Sequence, residues 1–287
     1  MNTFETKPFN SFSNLLFNFL RQKIHAFFLK VFVLTGRHIT METKLSTHVI
    51  EKPEFMLAKD ILKPTVTLLS GIRELDNVLG GFKSGEITFI DGDSKLISNI
   101  PNQICVNTYC MLHSSVVYID GGMCADPYRI SNYARKMEVN QKEVLEHVFI
   151  SRAFTVYQLT TLIQDRLETT ITRYKPLTLI IGRFPILYLD SDVPSKEAQT
   201  LLRSNLHKIR ELTTKYNLVT IFTNLEKKAL SNLRNIRSIL YKDVDEIVLM
   251  KQTELATCIE LVNRCKNSMI FHLGAGQLRL DDFGVVV

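Results

Sequence analysis

From residue 68 onward, short apolar runs rich in β-branched residues alternate with stretches of helical periodicity, and no other feature narrows the fold so far. Runs at 87–91, 116–120, 177–181, 218–222 and 246–250 are bounded by polar residues or glycine and read as buried strands. Between them, 127–136, 156–170, 195–216 and 225–240 carry apolar side chains at three- and four-residue spacing, as in Leu202, Leu206, Ile209 and Leu212. Such alternation predicts an α/β fold, with right-handed crossovers, a mainly parallel central sheet and helices on both faces. Ligands of these sheets gather at the carboxyl ends of the strands. Residues 257–283 read as two or three more strands around a Gly-Ala-Gly turn at 274–276, extending the sheet in antiparallel fashion.

The rest of the chain is organised around that core. Residues 1–50 form a basic extension, 51–67 a linker, and 68–287 the core. Of the net +6 (35 Lys and Arg against 29 Asp and Glu), the extension supplies four charges: six basic side chains against Glu5 and Glu42. The core is nearly neutral, which argues against a broad phosphate-binding stripe on it. Five cysteines without a C-x-x-C pair do not make a disulfide framework, so a reducing cytoplasm is the expected compartment. The Phe- and Leu-rich stretch 12–34 is interrupted by Arg21, Lys23, His25 and Lys30, so neither a membrane span nor a secretory signal is expected there. The histidines show no metal-ligand spacing. Asp190, Asp192 and Glu197 look like capping groups for a helix beginning at Ser195.

The most informative stretch runs from Leu69 to Cys110. Ser70-Gly71-Ile72-Arg73-Glu74-Leu75-Asp76-Asn77-Val78-Leu79-Gly80-Gly81 leads through Gly85-Glu86-Ile87-Thr88-Phe89-Ile90 into Asp91-Gly92. This order and spacing resemble the opening of the RecA/RadA recombinase core, where a helix and a glycine turn precede the first strand and its phosphate-binding loop. A working loop, G-x-x-x-x-G-K-S/T, wraps backbone N–H groups around phosphate, with lysine on the phosphate oxygens and a hydroxyl on Mg²⁺. The matching octet here is Gly92-Asp93-Ser94-Lys95-Leu96-Ile97-Ser98-Asn99. Only the first glycine remains. Ile97 replaces the second, Ser98 the lysine and Asn99 the metal-binding hydroxyl, while Lys95 comes three positions early. A helix is still expected to follow, with Ser98 or Asn99 as its cap and Pro101 in its first turn.

Three further segments carry the same resemblance with the same losses. Val116 to Ile130 is similar to the family's "VYIDTEGTFRPERI", with Gly122 where the catalytic glutamate stands. Strand 177–181 is similar to the Mg²⁺-supporting strand, with Gly182 at its terminal aspartate. Ile221-Phe222-Thr223-Asn224 is similar to the nucleotide-sensing "ITNQ", with Leu225 at the glutamine. Ser151-Arg152-Ala153-Phe154 is similar to the family's "ARAF". The resemblance thus covers residues 55–283. It implies a RecA-like P-loop-type core, close to a degenerate archaeal RadA paralogue, that keeps a vestigial nucleotide loop at Gly92, Lys95, Ser98 and Asn99. With the cations and the glutamate missing, it implies a pseudo-ATPase without a cofactor, binding ATP weakly at most.

The linker contains Phe55-Met56-Leu57-Ala58, 15 residues before Ser70. In the RadA family a Phe-x-x-Ala tetrapeptide adds a strand to the edge of a neighbouring core and buries its Phe and Ala there. Phe55 and Ala58 are therefore the expected partner-binding residues, and a RadA-type recombinase or a paralogue is the expected partner. An ordinary buried Phe in a local helix is the competing reading of that tetrapeptide. DNA is the second partner considered. Lys227, Lys228, Arg234 and Arg237 fall mostly off the apolar stripe Leu225, Ala229, Leu233, Ile236 and Leu240 of the helix expected at 225–240, where phosphates could meet them; an ordinary solvated helix face is the competing reading. The function this implies is a non-catalytic accessory of homologous recombination and DNA repair that binds or regulates the active recombinase filament. Two alternatives stay open: a DNA-binding ATPase of the same superfamily whose site a partner completes, and a single-stranded DNA binder.

Overall fold

A computed structural model describes residues 64–93, 95–225, 233–252, 256–262 and 273–274. In chain order these form β1 (Thr67–Leu68), α1 (Arg73–Leu79), β2 (Phe82–Lys83), β3 (Ile87–Gly92), a 3₁₀ turn (Lys95–Ser98), α2 (Ile100–Leu112) and β4 (Val116–Asp120). There follow α3 (Pro127–Lys136), α4 (Gln141–Glu146), β5 (Val148–Arg152), α5 (Val156–Thr161), a π-helical turn (Leu162–Arg166), α6 (Leu167–Tyr174), β6 (Thr178–Gly182) and a 3₁₀ turn (Ile186–Leu189). The last elements are α7 (Ser195–Tyr216), β7 (Val219–Leu225), α8 (Leu233–Asp243), β8 (Glu246–Gln252), β9 (Ala256–Leu261) and β10 (Leu273–Gly274). Among the described residues, none of these helices is long and apolar enough to cross a membrane.

The main sheet has the order β10-β9-β8-β3-β7-β6-β4-β5, and β1 and β2 make a separate antiparallel ribbon. Every pairing from β8 to β5 is parallel, whereas β8–β9 and β9–β10 are antiparallel. The period of two along each strand divides the core between the two faces. Tyr118 and Ile180 join α1–α4 on one side; Val117, Ile119, Leu179 and Ile181 join α5–α8 on the other. The predicted α/β architecture, with its antiparallel extension, is the one observed.

Local chemistry explains where the elements start and stop. Asp126 caps α3, accepting from the backbone N–H groups of Tyr128 (3.0 Å) and Arg129 (3.2 Å), with Pro127 behind it. The helix expected at 156–170 continues to Tyr174, and a π turn interrupts it. Its buried residues Leu159, Ile163, Leu167 and Ile171 recur every four positions, overshooting the α-helical turn by about 40° at each step. A wider turn absorbs that drift and keeps all four on the sheet.

Four expectations are corrected. Leu225 ends β7 rather than starting a helix, and the helix there runs from Leu233 to Asp243, because the strand keeps pairing with β3 up to Gly92. Neither Ser98 nor Asn99 caps α2: the Ser98 hydroxyl donates to the Lys95 carbonyl (2.9 Å), and the Asn99 side-chain oxygen accepts from Arg129. Asp190 and Asp192 do not cap α7, whose N-terminal flank is Pro194; the Asp190 carboxylate instead accepts from the Asp192 N–H (3.1 Å), and Glu197 accepts from the Tyr157 hydroxyl (3.0 Å). Gly274 belongs to β10 rather than to a turn, and residues 275–276 lie outside the described ones.

Candidate functional site

Strands β3, β7, β6 and β4 end side by side, and their last residues bring together most of the positions singled out above. At the end of β3, Asp91 is fully buried and takes four hydrogen bonds. They come from the Asn224 amide (2.8 Å), the Arg237 Nε (2.5 Å) and Nη2 (3.1 Å), and the Tyr241 hydroxyl (2.9 Å). Tyr241 also meets Phe89 edge-on at 6.0 Å. One carboxylate thus ties β3, β7 and α8 together. Arg237, expected to face phosphates, turns inward instead, since a buried carboxylate needs a cation more than a solvated helix face does. Lys227 and Lys228 lie outside the described residues, as does the side chain of Arg234.

The octet follows directly. Gly92 pairs with Met250 of β8, and a Cβ built on it would overlap the Met250 carbonyl oxygen; its φ of 141° is open to glycine rather than to residues with a side chain. The Asp93 N–H donates to that same carbonyl (3.1 Å), and the Asp93 carboxylate accepts from the Gln252 N–H (2.6 Å). The start of the loop is therefore stitched to β8. Lys95 through Ser98 coil into the 3₁₀ turn, with Lys95 exposed and Ile97 buried. A magnesium-bound triphosphate does not fit these residues: the lysine and metal-hydroxyl positions hold the neutral Ser98 and Asn99, both already hydrogen-bonded within the protein, and Asp93 adds a negative charge.

At the ends of β4 and β6 the two glycines are packed over. A Cβ on Gly122 would lie 2.7 Å from the Cβ of Arg183 and closer still to its Cδ; one on Gly182 would lie 3.0 Å from the ring and hydroxyl of Tyr118. Arg183 adopts a left-handed backbone (φ 50°), its N–H donates to Thr223 (3.2 Å), and its Nη2 reaches the Leu225 carbonyl (3.4 Å). Its Nε and the hydroxyl of the fully buried Tyr118 are buried without partners among the described residues. Beside them the buried Asp120 accepts from the N–H groups of Gly122 (3.2 Å), Cys124 (2.8 Å) and Ala125 (3.1 Å) and from Arg152 Nε (3.3 Å). Burial, and then the Asp120 charge, pushes the Cys124 thiol up to about 11. A thiol raised in this way is mainly protonated near neutral pH.

A second feature lies at the β5 edge of the sheet. β5 was not expected as a strand, yet it is the last strand of the sheet, and among the described residues nothing pairs with its outer edge. Beneath it opens a cavity of about 230 Å³, walled by Val117 and Ile119 of β4, Phe149 of β5, and Leu162, Arg166 and Leu167 of the helix. Phe55 and Ala58 lie outside the described residues.

A parallel sheet built in this order, with the glycine turn, the loop octet and the three strand ends in their places, defines a RecA-like core. The Rad51 family model matches residues 62–236, more than half of the chain, and the chain belongs to that family. It is 29% identical over 170 residues to a DNA repair protein Rad51 homolog of Drosophila melanogaster, a stretch covering 56% of this chain and 45% of that protein. It is 27% identical over 172 residues to the DNA repair protein RAD51 homolog 1 of Arabidopsis thaliana, covering 55% and 49%. The chain spans about half the length of these curated relatives.

Proposed function

We propose that this protein is a non-catalytic accessory of homologous recombination and DNA repair, which docks on an active recombinase instead of hydrolysing ATP itself. Membership of the Rad51 family supports the setting. The observation that carries the non-catalytic part is that both carboxylate positions are glycines whose space is taken: Arg183 lies over Gly122, and Tyr118 lies over Gly182. Phosphoryl transfer depends almost wholly on placed cations and a positioned water. A site that lacks the lysine, and in which Arg183 and Tyr118 stand over the places of both carboxylates, is without the side chains that would hold Mg²⁺ and orient a water. Docking would use Phe55 and Ala58 as the inserted strand, with main-chain hydrogen bonds giving affinity and the aromatic ring anchoring it.

Two measurements test the reading. Phe55→Ala is expected to abolish recovery of the recombinase in a pull-down with the full chain, and unchanged recovery would discard the docking role. In parallel, ATP turnover with and without single-stranded DNA is expected to stay at background. Restoring the carboxylates as Gly122→Glu with Gly182→Asp is expected to leave turnover at background while costing about 2–4 kcal/mol of stability by overpacking. DNA-stimulated turnover by the unaltered chain would instead establish an ATPase.

A further inference from the structure

We propose that Arg183 is a clamp built into the fold, holding the ends of β4, β6 and β7 in one arrangement whether or not a nucleotide is present. This rests on the non-catalytic reading above and adds how that site is regulated: its shape is set by the chain itself and not by a ligand. Arg183 lies in the left-handed backbone region (φ 50°), which glycine adopts freely and an arginine adopts only at a cost. Its Nε is buried without a partner among the described residues, which is a second cost. A residue held in two unfavourable states at once persists only where its surroundings fix it, and such positions cluster at functional sites.

The surroundings fix it from both sides. The ladder between β6 and β7 runs as far as Ile181 and Phe222, yet beyond it the N–H groups of Arg183 and Phe184 both donate to Thr223, to its Oγ1 (3.2 Å) and its carbonyl (3.0 Å). The fully buried Phe184 packs its ring 4.5 Å from that of Phe222, so the corner is anchored in the core. Toward β4, the Gly121 N–H donates to the Gly182 carbonyl (3.0 Å), and the Cβ, Cγ and Cδ of Arg183 cover Gly122. Toward the loop, Nη2 reaches the carbonyl of Leu225 (3.4 Å), and Leu225 in turn pairs with Gly92, the first residue of the octet. One side chain therefore spans from the turn after β4 to the residue beside the loop. In a site shaped by its ligand such contacts form when the ligand arrives; here the chain has already made them.

The sign of one substitution separates a clamp from a merely tolerated strain. Arg183→Gly removes the side chain and at the same time relieves the left-handed backbone. If Arg183 were only strained, amide exchange at the strand ends would slow; if it is a clamp, exchange quickens in spite of the relief. Hydrogen–deuterium exchange of the full chain carrying Arg183→Gly is expected to run about threefold or more faster in peptides covering 116–125 and 219–225. Peptides from α6 (Leu167–Tyr174) serve as the internal reference and are expected to keep their rates. Arg183→Lys keeps the aliphatic cover of Gly122 but loses the guanidinium fork, and its rates are expected to fall between those of the other two chains. Magnesium-ATP is expected to leave both peptides of the unaltered chain unchanged. Exchange in Arg183→Gly that slows, stays the same, or quickens equally in α6 overturns the clamp and leaves the non-catalytic reading intact. Protection of 116–125 by magnesium-ATP in the unaltered chain overturns the clamp and that reading together.

Discussion

Arg237→Ala is expected to lower the unfolding free energy by about 3–5 kcal/mol, because it strands the Asp91 carboxylate in the interior with its cation removed. The Asp91 side chain is fully inaccessible, and Asn224 and Tyr241 supply only neutral donors to it. Urea unfolding measures the loss. Asp91→Leu combined with Arg237→Met removes both charges together and is expected to recover much of the stability, since paired replacement of a buried ion pair by apolar groups is often close to neutral. A loss below about 1 kcal/mol in the single variant would show that the carboxylate does not depend on Arg237. DNA-binding experiments that substitute Arg237 would therefore report on folding as much as on phosphate contact.

Gly92→Ala is expected to cost even more, above about 4 kcal/mol, and to leave little folded protein. The added Cβ would overlap the Met250 carbonyl oxygen, on a backbone whose φ of 141° residues with a side chain rarely adopt. Nothing local can yield, because Asp93 and Gln252 continue the same seam between the loop and β8. Thermal denaturation of the purified variant checks it, and a Tm within a few degrees of the unaltered chain would refute the tight approach of β3 to β8.

Much of this architecture was legible because its signals are local. The strand at 116–120 and the helices at 127–136 and 195–216 begin and end where expected; at one helix Asp126 and Pro127 mark the start, and at another Asn217 stops the helix in a left-handed turn. β5 was missed because Val148–Arg152 is a half-exposed edge strand ending in Ser and Arg, without the apolar run that marks a buried one. The helix expected from Leu225 was misplaced because an apolar stripe at helical spacing ran on into residues that the sheet claims. At the strand ends, the missing lysine, hydroxyl and carboxylates could be read residue by residue from a resemblance. What replaces them could not, since Arg183 over Gly122 and Arg237 on Asp91 join residues 61 and 146 positions apart.

The strand order also governs how the chain must be made. β3 lies between β8 and β7, so it has no neighbour from the first half of the core, and of the main-sheet strands made before β6 only β4 and β5 pair with each other. On a ribosome the central strand would wait with both sides unsatisfied until residues 219–252 had emerged. Sequence-distant pairing of this kind slows folding and exposes apolar surface meanwhile. Fragments divided between β5 and β6 would be complementary halves, neither able to close the sheet without the other.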